Sequence, residues 1–75
     1  MITTTSRNAS LEVKELALSF SLDKKSKYLN RGKKTVEELV SIARKLGHSK
    51  IAIVKGKEKI DYIEIHHSGN WEWIY

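Results

Sequence analysis

Six basic side chains and no acidic one lie between residues 24 and 34 of this chain. They are Lys24, Lys25, Lys27, Arg31, Lys33 and Lys34. The last three surround Gly32 and come directly before a predicted helix, whose first backbone N–H groups attract anions. A guanidinium group can bind two phosphate oxygens at once, whereas lysines act as mobile point charges. Residues 30–34 therefore predict a phosphate-binding corner, and the alternative interpretation is a solvated basic turn.

The whole chain has the same bias, with 14 Lys and Arg residues against 9 Asp and Glu residues and a net charge of +5. On a chain of 75 residues, this balance favours a polyanionic partner such as RNA. Many basic domains bind no nucleic acid. The clustering of the basic residues is therefore stronger evidence for an RNA partner than the net charge is.

Other kinds of chemistry find no support in the spacing of the residues. The chain has no cysteine, which excludes disulfides and thiolate metal sites. His66 and His67 are adjacent and would point to opposite faces of a strand, without a carboxylate at ligand spacing. Neither Ser6 nor Ser10 has a histidine at a readable catalytic spacing. We predict no metal, no cofactor and no enzyme activity.

Length and hydropathy bound the class of protein. Seventy-five residues predict a single domain over residues 1–75. No apolar run approaches the roughly 20 residues that a membrane-spanning helix needs, and no signal-peptide pattern is visible. We therefore predict a soluble, cytoplasmic protein with no membrane partner.

Two helices are predicted. Thr35 and Glu38 form a capping box, and the apolar period that follows predicts a helix over 36–46, ended by Gly47. Apolar residues at the i, i+3, i+4, i+7 spacing predict an amphipathic helix over 11–20, with residues 21–26 as a polar connection.

Five strands are predicted at residues 2–5, 27–30, 51–54, 60–65 and 71–75. The order β-α-β-α-β-β-β indicates an α/β (α+β) two-layer domain, in which two helices pack on a mixed sheet of four or five strands. Arg7 follows the first strand and Arg31 the second. Since parallel strands end at the same edge of a sheet, both side chains are predicted there, at the usual edge for ligands.

Three stretches of the chain resemble the N-terminal part of the Brix-domain family, the archaeal and eukaryotic ribosome-biogenesis proteins. The first is Ile2-Thr3-Thr4-Thr5-Ser6-Arg7, and the second is Tyr28-Leu29-Asn30-Arg31-Gly32-Lys33. The third begins at Glu37-Glu38-Leu39, passes Leu46-Gly47 and continues to the apolar strand at 51–54. Their order and spacing agree with the family over roughly residues 2–65. Asn8-Ala9-Ser10 departs from the family's basic stretch at that position.

The resemblance implies that this chain has the fold of half a Brix domain, which is similar to the anticodon-binding domain of class II aminoacyl-tRNA synthetases. It also implies non-catalytic binding of ribosomal RNA or its precursor during ribosome assembly. A full Brix domain has two such halves. The chain is therefore expected to be a fragment, or a half-sized protein that pairs with a second copy as a homodimer.

The chain has one predicted RNA-binding set and one alternative function. The predicted RNA-binding residues are Arg7, Lys24, Lys25, Lys27, Asn30, Arg31, Gly32, Lys33 and Lys34. Replacing Arg31 and Lys33 by alanine is expected to weaken RNA binding without unfolding the domain. The alternative is a protein-interaction half-domain, in which the face shared by Trp71, Trp73 and Tyr75 docks a partner protein or a second copy.

Overall fold

A computed structural model describes residues 1–74 of the chain. Its elements are β1 (Ile2–Thr5), α1 (Leu11–Asp23), β2 (Lys27–Tyr28), α2 (Val36–Lys45), β3 (Lys50–Gly56), β4 (Lys59–Ile65) and β5 (Trp71–Ile74). This is the order of helices and strands that the sequence predicts. No helix in this part of the chain is both long enough and apolar enough to cross a bilayer.

The five strands form one mixed sheet in the order β2-β1-β3-β4-β5. β1 lies between two parallel partners, since Ile2 pairs with Lys27 of β2 and with Ile51 of β3. β4 is antiparallel to both of its neighbours, β3 and β5. The predicted mixed sheet and the predicted fold class are confirmed.

The two helices cover opposite faces of this sheet. The main core joins α2 to one face, and its members are Ile2, Leu39, Val40, Ala43, Ile51, Ile53, Ile63 and Ile65. Ala52 and Val54 alternate with those β3 residues and are also buried, on the face against which α1 packs. The crossovers β1-α1-β2 and β2-α2-β3 run in opposite directions, so right-handed connections place their helices on opposite sides. The sheet therefore lies between the two helices, which gives three layers where the order of elements indicated two.

α1 extends three residues beyond the predicted helix and ends at Asp23. Its end is a Schellman motif, in which the Ser26 N–H donates to the Ser21 carbonyl (2.8 Å) and the Lys25 N–H donates to the Leu22 carbonyl (3.3 Å). Lys25 occupies the left-handed position of this motif, with φ 54. Glycine usually fills that position, so its absence made residues 21–26 resemble a connection.

We expect Lys25→Gly to stabilise the domain by about 1 kcal/mol, because a side chain in the left-handed region is strained and glycine is not. Urea-induced unfolding measures the change. Lys24→Gly removes the same charge at the neighbouring position, where φ is −91, and is expected to give no gain. A Lys25→Gly protein less stable than the wild type would contradict this explanation of the helix end.

α2 begins and ends as its sequence indicates. The Glu38 N–H donates to the Thr35 hydroxyl (3.2 Å), which satisfies one of the free donors of the first turn. At the other end Gly47 has φ 80, and the His48 N–H donates to the Ala43 carbonyl (2.8 Å). The predicted helix over 36–46 is therefore confirmed to within one residue.

Candidate nucleic-acid interface

A shallow pocket of about 270 Å³ lies at the edge of the sheet where β1 and β2 end. It is lined by Thr5, Ser6, Asn8, Ala9, Lys14, Asn30, Arg31, Gly32 and Lys33. This lining contains three cationic side chains and no acidic one. The volume is below the roughly 300–1,000 Å³ of small-molecule sites, so the pocket is better suited to a phosphate that docks from the surface. We call it the edge pocket.

Two left-handed turns form the walls of the edge pocket. Asn8, between β1 and α1, has φ 57, and Gly32, between β2 and α2, has φ 52. No heavy atom lies within 4 Å of where a Cβ of residue 32 would stand, so glycine is favoured there by its backbone angle and not by lack of space. Each turn leads from the end of a parallel strand into the first turn of a helix. The edge pocket thus lies between the two loops that lead from these strands into the helices.

The Arg31 side chain is buried, with 7% of its surface exposed. Its Nε donates a hydrogen bond to the Lys34 carbonyl (2.7 Å), and one Nη donates to the Thr5 carbonyl at the end of β1 (2.9 Å). The guanidinium group therefore ties the loop after β2 to the neighbouring strand. The sequence predicts Arg31 as a phosphate ligand, and its burial with two hydrogen bonds gives it a structural role in this loop as well.

Lys34 is also part of the loop's own framework. Its Nζ donates to the Asn30 carbonyl (3.0 Å), and its backbone N–H donates to the Arg31 carbonyl (3.1 Å). Two of the predicted phosphate ligands, Arg31 and Lys34, thus hold residues 30–34 in shape. Of the two, Arg31 lines the edge pocket, although two of its donors are used within the chain.

Arg7 and Arg31 lie close enough to repel each other. Burial lowers the pKa of the Arg31 guanidinium from its ordinary value, and the charge of Arg7 lowers it further. Within residues 1–74 neither side chain forms an ion pair with a carboxylate. The prediction that both arginines reach the same edge of the sheet is confirmed. An anion bound between them would reduce the repulsion.

Of the predicted RNA-binding cations at this edge, Arg7 and Lys33 are exposed. Neither makes a side-chain hydrogen bond or an ion pair to another of the 74 residues described. Lys14 in α1 also lines the edge pocket, and it is not among the predicted RNA-binding residues. The topology offered a signal, because the helix after β1 must begin at the edge where β1 ends.

Lys24, Lys25 and Lys27 lie at the opposite edge of the sheet. Lys27 pairs with Ile2 at the start of β1, whereas Arg31 bonds to Thr5 at its end. The strand rise between these two points is about 10 Å. The structure therefore divides the predicted basic cluster into the edge pocket and a second group of lysines between the end of α1 and the start of β2.

The aromatic side chains of β5 are only partly on the surface. Trp71 packs against the main core, and Trp73 is 36% exposed. Their rings meet edge to face, with centroids 5.8 Å apart and an interplanar angle of 83°. Tyr75, the third residue of the predicted interface, lies outside the described residues.

Comparison with solved structures shows the same fold in proteins about twice as long. The chain is similar to Mil, an archaeal Imp4-like protein, with a TM-score of 0.72 and 24% identity over 95% of this chain and 46% of that one. It is also similar to a probable ribosomal biogenesis protein from Aeropyrum pernix, with a TM-score of 0.74 and 23% identity over 97% of this chain and 43% of that one. The fold expected from the Brix resemblance is confirmed.

These likenesses concern the fold, and the chain spans less than half the length of either protein. No family model matches the sequence. No curated protein matches it either.

Proposed function

We propose that this domain is a non-catalytic RNA-binding module that binds ribosomal RNA or its precursor during ribosome assembly. One observation carries the proposal, namely the edge pocket with its three cations, its absence of acids and the unpaired Arg7 beside it. Phosphate groups would supply the negative charge that the lining of the edge pocket lacks.

The structural neighbours support the choice of RNA. One is an Imp4-like protein and the other a probable ribosomal biogenesis protein. A domain that acts in ribosome assembly meets folded RNA as its most abundant polyanion. The shallow pocket suits the phosphate backbone of such an RNA better than an enclosed nucleotide.

Titration of the wild-type domain with structured fragments of ribosomal RNA at several salt concentrations tests the proposal. We expect the logarithm of the affinity to fall by about 0.7–0.9 for each phosphate contact per tenfold rise in salt. If Arg7, Lys14 and Lys33 each contact one phosphate, the logarithm of the affinity should fall by about two to three per tenfold rise in salt. Absent binding, or binding that does not respond to salt, would exclude the proposed function.

A protein-interaction function is the second candidate, and exposed apolar side chains favour it. β5 is an edge strand, and Ile74 on it is 37% exposed. α1 exposes more apolar surface, with Leu11 at 72% and Leu22 at 80% exposure. Isolated apolar residues on a surface are ordinary, but Leu11, Leu18 and Leu22 recur at spacings of seven and four along one helix.

Analytical sedimentation separates the two functions. The RNA-binding proposal expects a species that changes mass when RNA is added and returns to its original mass at high salt. The interaction function expects a complex with a second copy that resists salt and is lost on Trp73→Gln, or on Leu22→Gln if α1 is the surface. A monomer at all protein concentrations, with or without salt, would count against self-association.

A further inference from the structure

We propose a binding site for a divalent transition-metal cation, with Zn²⁺ as the best match, formed by Glu64, His66 and Glu72. These residues lie where β4 ends and β5 begins. Their ligand atoms, one from each residue, all lie within 4.8 Å of one another. We call this group the hairpin triad. It lies outside the edge pocket, and the proposal does not depend on RNA binding.

The sheet register brings the hairpin triad together. Glu64 and Glu72 are directly paired across β4 and β5, and His66 follows Glu64 by two residues and so lies on the same face. The backbone of His66 is fixed by the turn, since its N–H donates to the Asn70 carbonyl (2.8 Å) and its carbonyl accepts from the Gly69 N–H (2.9 Å). The sequence did not indicate this site, because Glu72 lies on a neighbouring strand. No fixed spacing along the chain relates it to Glu64 and His66.

The distances suit a tetrahedral ion. The His66 Nε2 lies 3.5 Å from the Glu72 Oε1. Two ligands about 2.0–2.1 Å from a tetrahedral Zn²⁺ are about 3.4 Å apart, so this pair already has nearly the required separation. Only the Glu64 carboxylate has to turn inward, and its partly exposed side chain leaves room to do so. Water would take the fourth position.

The charges give a physical reason for a cation at this position. Two like charges directly opposite each other across a pair of strands are destabilising. Lys50 pairs with Glu64 in the register of β3 but forms no ion pair with it among the residues described. A divalent ion would neutralise both carboxylates at once. One imidazole with two carboxylates favours Zn²⁺ and its neighbours over Mg²⁺ and Ca²⁺, which prefer oxygen ligands alone.

A cleft of about 540 Å³ at the same corner is lined by Glu64 and His66 of the triad and by the other two histidines, His48 and His67. Arg44 also lines this cleft, whereas Glu72 does not. His67 is the natural control, because it is adjacent to His66 and lies outside the triad.

Isothermal titration of the metal-free domain with Zn²⁺, and with Co²⁺ for its absorption spectrum, tests the site. We expect binding of one ion per chain, unaffected by millimolar Mg²⁺. His66→Ala and Glu72→Gln should each weaken it by at least about tenfold, whereas His67→Ala should leave it within about twofold. All three positions are exposed, so the variants are expected to fold.

Three results would overturn the proposal. The first is the absence of Zn²⁺ binding, and the second is a loss on His67→Ala as large as that on His66→Ala, which would indicate unspecific histidine binding. The third is an unchanged affinity in Glu72→Gln. None of these results bears on the edge pocket, so the proposed RNA function would stand or fall separately.

Discussion

Replacing Arg31 by methionine is expected to lower the free energy of unfolding by about 2 kcal/mol. The substitution removes two hydrogen bonds from a charged donor, to the Thr5 and Lys34 carbonyls, each worth about 1.5–3 kcal/mol. Relief of the buried charge and of the repulsion by Arg7 offsets part of this loss. For a domain of this size the melting temperature should fall by about 10 °C.

Two further variants separate the hydrogen bonds from the charge. Arg31→Lys keeps the charge, but its single ammonium cannot reproduce the planar fork that reaches both carbonyls, so most of the loss should remain. Arg7→Gln removes the neighbouring exposed charge and should leave stability within about 0.5 kcal/mol of the wild type. Urea unfolding measures all three. An Arg31→Met protein as stable as the wild type would mean that the two bonds add nothing to the fold.

The second large effect concerns RNA affinity. The double variant Arg7→Gln with Lys33→Gln removes two exposed cations at the edge pocket that have no described partner. Each phosphate contact contributes about a factor of four to five at 0.15 M salt, so the variant should bind RNA about 20-fold more weakly. The salt slope should fall by about 1.4–1.8, and near 1 M salt the two proteins should bind alike.

A matched control removes more charge from the opposite edge. The triple variant Lys24→Gln, Lys25→Gln, Lys27→Gln loses three positive charges and leaves the edge pocket intact. If net charge alone governed binding, this variant would be the weaker binder. We expect the reverse order in filter-binding or fluorescence titrations. A triple variant that binds RNA more weakly than the double variant would move the proposed site to the lysines between α1 and β2.

The order of elements followed from local signals in the sequence. The capping box at Thr35, the glycine at 47 and the apolar run at 51–54 each act within a few residues, so their outcomes could be predicted. The end of α1 could not, because Lys25 takes a backbone angle that its side chain disfavours. The two backbone hydrogen bonds that end the helix, donated by Lys25 and Ser26, accompany that angle.

The candidate site was harder to predict than the fold. The sequence shows that Arg31 is cationic, but its burial depends on the Thr5 carbonyl, which lies 26 residues away along the chain. The division of the basic run between two edges depends on the pairing of Lys27 with Ile2. Lys14 joins the edge pocket only through the topology of α1. Each of these facts is set by long-range register, which residue types do not encode locally.

The position of β1 in the sheet has a consequence for the time order of folding. Ile2 pairs with Lys27 and with Ile51, so the N-terminal strand stays unpaired on one side until β3 is in place. β2 pairs over only two residues, and a sheet of two short strands is not stable by itself. During synthesis, β1 would therefore wait for its second partner until a strand about 50 residues later is made, as expected for parallel pairing between distant segments. We expect the domain to gain protected amide hydrogens in one late step, and its N-terminal third to remain susceptible to proteases until then.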